Sequence, residues 1–233
     1  DTSSFSPTAE NAKLTFNNFV VGPSNKFAYT ASLRVAENPG SVFNPLFIYG
    51  NSGLGKTHLL NAIIEKIKSN NPDATILYTT SEDITNDLYF AIQTKTTHDL
   101  HQKYRTCDAL LIDDIQMIAG KTQTEEEIFH TFDTLIKAGK QIVLTSDKPP
   151  SAIPKIEDRL KTRFESGLLC DIQPPDFETR VAIIKRKAEL LNIKIPDEVC
   201  EFMANRLKNN IRQLEGAVKK MKAYKELTNS EMT

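Results

Sequence analysis

Several kinds of chemistry are missing from this sequence, and each absence removes a class of function. The three cysteines, Cys107, Cys170 and Cys200, are scattered and form no C-x-x-C pair. That excludes a disulfide framework and suits small core residues in a reducing compartment. Positive charge is not in excess: 29 Lys and Arg stand against 30 Asp and Glu. The overall basic field of a dedicated duplex-DNA reader is therefore lacking, and any nucleic-acid contact must be local. No apolar run approaches the length of a membrane span and no signal-peptide pattern opens the chain, so the expected location is the cytoplasm. Of the four histidines, His98 and His101 are three apart without a third ligand nearby, which favours solvated helix positions over a metal site. His58 and His130 stand alone, and there is no Ser-His-Asp constellation, internal repeat or low-complexity segment.

What is present centres on Gly50-Asn51-Ser52-Gly53-Leu54-Gly55-Lys56-Thr57, directly after the apolar run Leu46–Tyr49 and directly before a helical pattern. This is the pattern of a phosphate-binding loop. Glycines at 50, 53 and 55 allow positive φ, so that successive N–H groups turn inward onto phosphate oxygens. Lys56 can reach the β- and γ-phosphates and the Thr57 hydroxyl can ligate Mg²⁺, both at the positive end of the following helix.

Around this loop the chain divides into three. Residues 1–13 are polar, carry Pro7 and suit a flexible linker; with no methionine at Asp1 and a polar tail from Leu227 to Thr233, the chain reads as a piece of a longer protein. Residues 14–173 alternate strands with helices. After Gly22-Pro23, Ser24 is a suitable N-cap for a helix presenting Phe27, Ala28, Ala31 and Val35. The helix after the loop carries Leu59, Leu60, Ile63, Ile64 and Ile67 at helical spacing. Apolar runs at Thr75–Tyr78, Ala109–Ile112, Gln141–Leu144 and Leu168–Cys170 join Leu46–Tyr49 as about five strands of a buried parallel sheet. Thr124 and Glu127 have capping-box spacing ahead of Ile128, Phe129, Phe132, Leu135 and Ile136. Such a pattern predicts a doubly wound α/β domain with ligands at the carboxyl ends of the strands. From Pro174-Pro175 onward only helical stretches remain, Phe177–Leu191, Asp197–Leu207 and Ile211 to about Lys225, which predicts a small all-helical subdomain over residues 174–233.

Other residues extend the phosphate chemistry. Leu110-Leu111-Ile112-Asp113-Asp114 is a buried strand delivering carboxylates at its end, with Asp113 suited to the Mg²⁺ shell and Asp114 to polarising an attacking water. Thr145-Ser146-Asp147 ends the next strand, where a side chain could sense a γ-phosphate or simply cap a turn. Arg159 and Arg163 lie four apart and share a helix face. They are either a solvated basic face paired with Glu157 and Asp158, or an arginine finger that neutralises transition-state charge in a neighbouring subunit. Arg212 begins the last helical stretch, where an arginine by itself is an ordinary surface residue.

Taken together, the loop, Asp113-Asp114, Thr145-Ser146-Asp147, the arginine pair and Arg212 in a helical lid resemble the AAA+ ATPases. Phe19-Val20-Val21-Gly22, Asn44 to Gly50, Leu110 to Gln116, Glu157 to Phe164 and Arg212 to Gly216 resemble, within them, the DnaA family of bacterial chromosomal replication initiators, from about Phe16 to Tyr224. The resemblance implies an α/β core with a helical lid that binds and slowly hydrolyses ATP to ADP with Mg²⁺, assembles head to tail with copies of itself at the replication origin, and engages single-stranded DNA. It assigns the loop from Gly50 to Thr57 together with His58, Val21, Arg159 and Arg212 to the nucleotide, and Thr57 and Asp113 to Mg²⁺. Asp147 becomes a first sensor, Arg212 a second sensor acting in cis and Arg163 the finger acting in trans, with Lys56 and Asp114 completing the catalytic set. Single-strand contacts fall on Tyr89, Lys121, Gln123 and Thr124. Most AAA+ motors have Glu where Asp114 stands; the shorter side chain should position water less well, as suits a switch. The family's origin-box reader, a C-terminal helix-turn-helix domain, has no counterpart here, so origin duplex would be recognised only through a region outside this chain. A replicative helicase and regulators are further implied partners. Alternatives are a helicase loader of the same superfamily, a small-molecule P-loop kinase, and a protein for which the nucleotide is only a folding cofactor.

Overall fold

The computed structural model describes residues 14–208 and 210–228. The linker expected at residues 1–13 and the tail beyond residue 228 lie outside the described residues. Five strands, β1 (Leu46–Tyr49), β2 (Ile76–Thr80), β3 (Ala109–Asp113), β4 (Gln141–Ser146) and β5 (Leu168–Asp171), form one sheet in the order β2-β3-β4-β1-β5. All neighbouring pairs are parallel.

The strands are apolar on both sides because both faces are covered, as a parallel sheet requires. Leu46, Ile48, Ala109, Leu111 and Val143 point to one face, against α1 (Lys26–Glu37) and α2 (Lys56–Asn70). Phe47, Leu110, Ile112, Ile142 and Leu144 point to the other, against α3 (Ser81–Thr94), α4 (Thr97–Arg105), α5 (Thr122–Lys137) and α6 (Asp158–Glu165). The period-2 alternation along each strand thus divides the core into two layers.

Three helices complete the described chain: α7 (Phe177–Leu190), α8 (Asp197–Arg206) and α9 (Ile211–Thr228). They enclose a third cluster containing Ile183, Ile184, Cys200, Met203, Leu214 and Val218. Asp176 starts α7 by accepting the Thr179 N–H at 2.8 Å. Arg180 ties the unit to its connection, donating to the carbonyls of Pro175 and Ala204, each at 2.8 Å. Among the described residues no helix is long and apolar enough to cross a membrane.

Tertiary contacts override several local expectations. The N-cap of α1 is Asn25, not Ser24, because the Asn25 side chain accepts the Gly22 N–H at 2.9 Å and donates to the Val20 carbonyl at 3.0 Å, which fixes the preceding turn. Phe27, expected in the core, is 58% exposed; Ala28, Ala31, Ser32, Val35 and Ala36 are the buried face of α1. The capping box at Thr124 and Glu127 does not form. Helix α5 begins earlier, at Thr122, and Glu127 instead meets Arg105 Nη2 at 2.8 and 3.0 Å and the Thr131 hydroxyl at 3.1 Å. His101, expected to be solvated, faces the same carboxylate at 3.2 Å. Strands β2 to β5 all run one or two residues further toward their carboxyl ends than the apolar runs did, since paired backbone continues into the polar residues of the site. Leu227, expected in a structureless tail, still belongs to α9.

Phe164 anchors α6 to the sheet face; it is fully buried, with its ring 5.7 Å from Phe47 and 6.4 Å from Phe132. Phe164→Ala should lower unfolding free energy by about 3–5 kcal/mol, as read from urea denaturation, because it removes apolar contact and leaves a cavity.

Candidate functional site

Strands β3, β4 and β1 are neighbours, so their carboxyl ends bring three polar turns to one place. The loop after β1 continues the ladder through Gly50 N–H to the Ser146 carbonyl at 3.1 Å. It then turns through Gly53 at φ +79° and Gly55 at φ +103°, conformations that side-chain-bearing residues rarely adopt, and delivers Lys56 as the first residue of α2. Lys56 Nζ is folded onto the loop, donating to the carbonyls of Gly50 and Asn51, the latter at 2.8 Å. Burial lowers the pKa of this ammonium below the ordinary lysine value, and the nearby carboxylates of Asp114 and Asp113 oppose that shift.

Asp113 lies at the centre of the polar network. Its Oδ2 accepts the Thr57 hydroxyl at 2.8 Å and the Tyr78 hydroxyl at 3.1 Å, and its Oδ1 accepts the Thr145 hydroxyl. Burial and the adjacent Asp113 charge raise the Tyr78 phenol well above its usual range, so it remains a donor. The Thr57, Tyr78 and Thr145 hydroxyls that bond the Asp113 carboxylate are all neutral donors, and Thr57 touches it directly. That oxygen donor set suits a hard divalent cation.

The next residue, Asp114, adopts φ +55°, held by its N–H on the Thr145 hydroxyl at 3.0 Å and its carbonyl on the Ser81 hydroxyl at 2.8 Å. The turn aims its side chain away from the core toward solvent. Gln116 links the two acidic turns, donating to Asp114 Oδ1 at 3.3 Å and accepting the Asp147 N–H at 3.4 Å. Asp147 itself has one carboxylate oxygen, Oδ1, buried without a hydrogen-bond partner. Ser146 serves the turn, accepting the Lys148 N–H at 3.2 Å.

A cavity of about 1220 Å³ joins these groups to the three-helix unit. Ser52, Gly53, Gly55, Lys56, Thr57, His58, Asp113, Asp114, Lys121, Asp147 and Arg212 all line it. Arg212 arrives from α9, whose first N–H, that of Ile211, donates to the Gly53 carbonyl at 2.9 Å. Among the loop residues, Leu54 is buried in the core, while Gly50 and Asn51 contribute their carbonyls to Lys56.

Other expected residues lie elsewhere. Val21 is 42% exposed, and its neighbour Val20 faces the cavity in its place. Tyr89 is exposed on α3, and Gln123 is exposed at the start of α5. Thr124 is buried, its hydroxyl turned to Thr85 at 3.4 Å, so it presents nothing to a nucleic-acid strand. Arg159 and Arg163 do not line the cavity of their own chain. Arg163 Nε meets Asp133 at 2.8 Å and Arg159 meets Glu157, while their guanidinium carbons lie 5.4 and 4.4 Å from the Phe129 ring centroid. Arg159 is therefore no cis ligand for a nucleotide in this arrangement, because α6 points it outward from the sheet.

The cavity also has a wall that the motifs did not reveal. Asn18 and Phe19 from the N-terminal segment and Ile183, Arg186, Lys187 and Leu190 from α7 also line it. The α7 residues recur at i, i+3, i+4 and i+7, a single helix face whose spacing was available in the sequence. Arg186 donates to Asn18 Oδ1 at 2.6 Å and so joins the two segments of this wall.

Residues 10–171 match the family model described as the bacterial DnaA ATPase domain. Among solved structures, the chain is similar to domain III of the replication initiation protein DnaA from Thermotoga maritima, at 46% identity over 95% of this chain and 92% of that one, with a TM-score of 0.93. It is also similar to a replication initiator DnaA bound to AMPPCP and single-stranded DNA, at 38% identity over 92% of this chain and 66% of that one, with a TM-score of 0.85. AMPPCP-bound DnaA from Aquifex aeolicus matches at 38% identity over 92% of this chain and 67% of that one, with a TM-score of 0.84. This chain spans about two thirds of the length of those last two structures.

His58, the residue after the loop, is held on the N-terminal segment. Its Nε2 lies 2.7 Å from the Thr15 carbonyl and its ring meets Phe19 edge-on at 5.1 Å, so the neutral ring with a proton on Nε2 is the folded form. Burial lowers its pKa, with the Thr15 carbonyl opposing. As pH falls, the unfolded ring protonates first. The His58 contribution to stability is therefore complete above the unfolded pKa of about 6.5 and is lost as pH drops below it toward the folded value. In His58→Gln, which keeps an N–H donor but cannot titrate, the urea midpoint should fall less between about pH 7.5 and about pH 5.5 than it does in the parent protein.

Proposed function

This chain belongs to the family of bacterial DnaA ATPase domains, and we propose that it is the ATP-operated module of a chromosomal replication initiator, working in the cytoplasm as a switch that assembles with its own copies. One observation carries this reading. The phosphate loop, the Thr57–Asp113 pair and Arg212 from the three-helix unit border a single cavity, so one ligand can bridge sheet and helices. The similar structures that hold AMPPCP favour ATP as that ligand.

Each residue then has a task. Loop N–H groups cradle the phosphates, and Lys56 leaves the Gly50 and Asn51 carbonyls to meet the β- and γ-oxygens. Thr57 and Asp113 would hold Mg²⁺, which would supply charge neutralisation at those oxygens. Asp114 orients the attacking water and Asp147 senses the terminal phosphate. The side chain of Asp114 is short and its backbone is clamped by Ser81 and Thr145, so its reach is limited. That favours slow turnover of ATP to ADP over a fast motor. Arg212 closes the three-helix unit over the nucleotide as a lid.

Arg163 acts on a second copy. It faces away from its own cavity, as a finger serving a head-to-tail neighbour must, and it would exchange Asp133 for the γ-phosphate of the next loop. Single-stranded DNA would meet Tyr89 by stacking and Lys121 and Gln123 by polar contact. The likeness to an initiator solved with single-stranded DNA supports that partner. Origin duplex recognition would need a region outside this chain, and a replicative helicase and regulators are further partners of this reading.

Light scattering of the purified chain with ATP and with ADP tests the switch. ATP should give the larger species; equal mass in both nucleotides would count against it. A second experiment isolates the shared site. Arg163→Ala should lose about a thousand-fold in assembled ATPase rate, and Lys56→Ala should lose nucleotide. Mixed one to one, the two variants should regain activity at about a quarter of the interfaces, because only one ordered pairing has both groups intact. Absence of any recovery would refute the trans role.

A further inference from the structure

The phosphate loop and α9 are joined by two adjacent contacts at residues 210 and 211. Ile211 N–H donates to the Gly53 carbonyl at 2.9 Å. Asn210 Oδ1 accepts the Arg212 N–H at 2.8 Å, and the Asn210 carbonyl accepts the N–H groups of Gln213 at 3.1 Å and Leu214 at 3.4 Å. Asn210 therefore satisfies free donors at the start of the helix in the manner of an N-cap.

The same side chain lies directly on the loop. A Cβ built at Gly53 would fall 2.1 Å from Asn210 Oδ1 and 2.6 Å from its Cγ. Gly53 is thus required both for its φ of +79° and for the space that the Asn210 amide occupies. Toward its other end α9 is fixed differently: Leu214 and Val218 are buried in one cluster with Ile184 and Ala188 of α7. Arg212 lies between these two attachments, exposed on the cavity wall. The helical unit's own packing sets the rotation of α9, whereas Asn210 and Ile211 set where its first turn sits along the loop.

We propose that Asn210 is the positioning residue for Arg212, registering the lid arginine directly to the phosphate loop at Gly53. The proposal rests on the reading of Arg212 as the group that meets a bound nucleoside triphosphate. A change in the loop at Gly53 is then passed to the first turn of α9 through the Ile211–Gly53 hydrogen bond and through the Asn210 side chain, which packs on Gly53 and holds the Arg212 N–H. Asn210 does not itself act on the phosphates; it decides whether Arg212 can.

Calorimetric titration of the whole chain with AMPPCP and with ADP tests this, using Asn210→Ala, Asn210→Gly, Arg212→Ala and Asn210→Ala combined with Arg212→Ala. Glycine at a helix start costs little in stability, so Asn210→Gly separates loss of positioning from loss of the helix. Both Asn210 variants should weaken AMPPCP by about ten-fold and ADP by much less, and Asn210→Ala should have almost no further effect once Arg212 is gone. Equal losses for the two nucleotides, parent-like binding by Asn210→Gly, or an undiminished effect in the Arg212→Ala background would each overturn the proposal and leave Asn210 as a simple helix start. If Arg212→Ala binds AMPPCP as tightly as the parent, the reading of Arg212 fails first and the positioning role falls with it.

Discussion

The buried Asp113 carboxylate is the constraint on which the site depends. A carboxylate removed from water must be hydrogen-bonded, because leaving it unsatisfied costs several kcal/mol by order of magnitude. Here the donors come from three different elements: Thr57 at the start of α2, Tyr78 on β2 and Thr145 on β4. Satisfying this one group fixes the phosphate loop's helix and two strand ends relative to β3. It also decides the direction of Asp114, since Thr145 serves both residues and the chain must turn through a left-handed conformation between them.

The cavity beside it is not a property of the α/β core alone. One wall is sheet and loop, the other is the three-helix unit, and among the described contacts between them are Ile211 and Asn210 on Gly53, Arg186 on Asn18, Val20 on the helical cluster, and Thr179 against Gly22. A ligand spanning sheet and helices would bridge the two walls, the arrangement expected of a unit that closes on what it binds.

Helix α6 shows how a residue with no place in its own site is still held in a defined position. Glu125, buried in α5 with its pKa raised by that burial, accepts the Glu157 N–H at 3.2 Å just before α6 begins. Phe164 ties the end of the same helix to the sheet, and Phe129 lies beneath both arginines. Arg159 and Arg163 thus lie on an exposed helix face, where Arg159 pairs with Glu157 as expected of a solvated face, and neither lines the adjacent cavity. Their ordered, outward position fits the trans role proposed for Arg163, and Asp133 is the group it would have to leave.

The sequence by itself determined the parts that depend on local chemistry. Glycine spacing defined the phosphate loop, apolar runs defined five strands, and an acidic pair after an apolar strand defined Asp113 and Asp114, because backbone freedom, burial and charge are legible residue by residue. It also separated the helical stretches after Pro174 from the α/β core. The tertiary structure alone decided what depends on distant partners. It set Phe27 outside and Ala28 inside, took Glu127 from a capping role to Arg105, and turned Thr124 inward to Thr85. It placed His58 on the Thr15 carbonyl, brought Asn18 and Arg186 to a wall of the cavity that no motif marked, and set the Asn210 side chain against Gly53. Each of those outcomes is settled by a hydrogen bond or a packing contact between segments far apart in the chain, and the periodicity of one segment carries no information about the other.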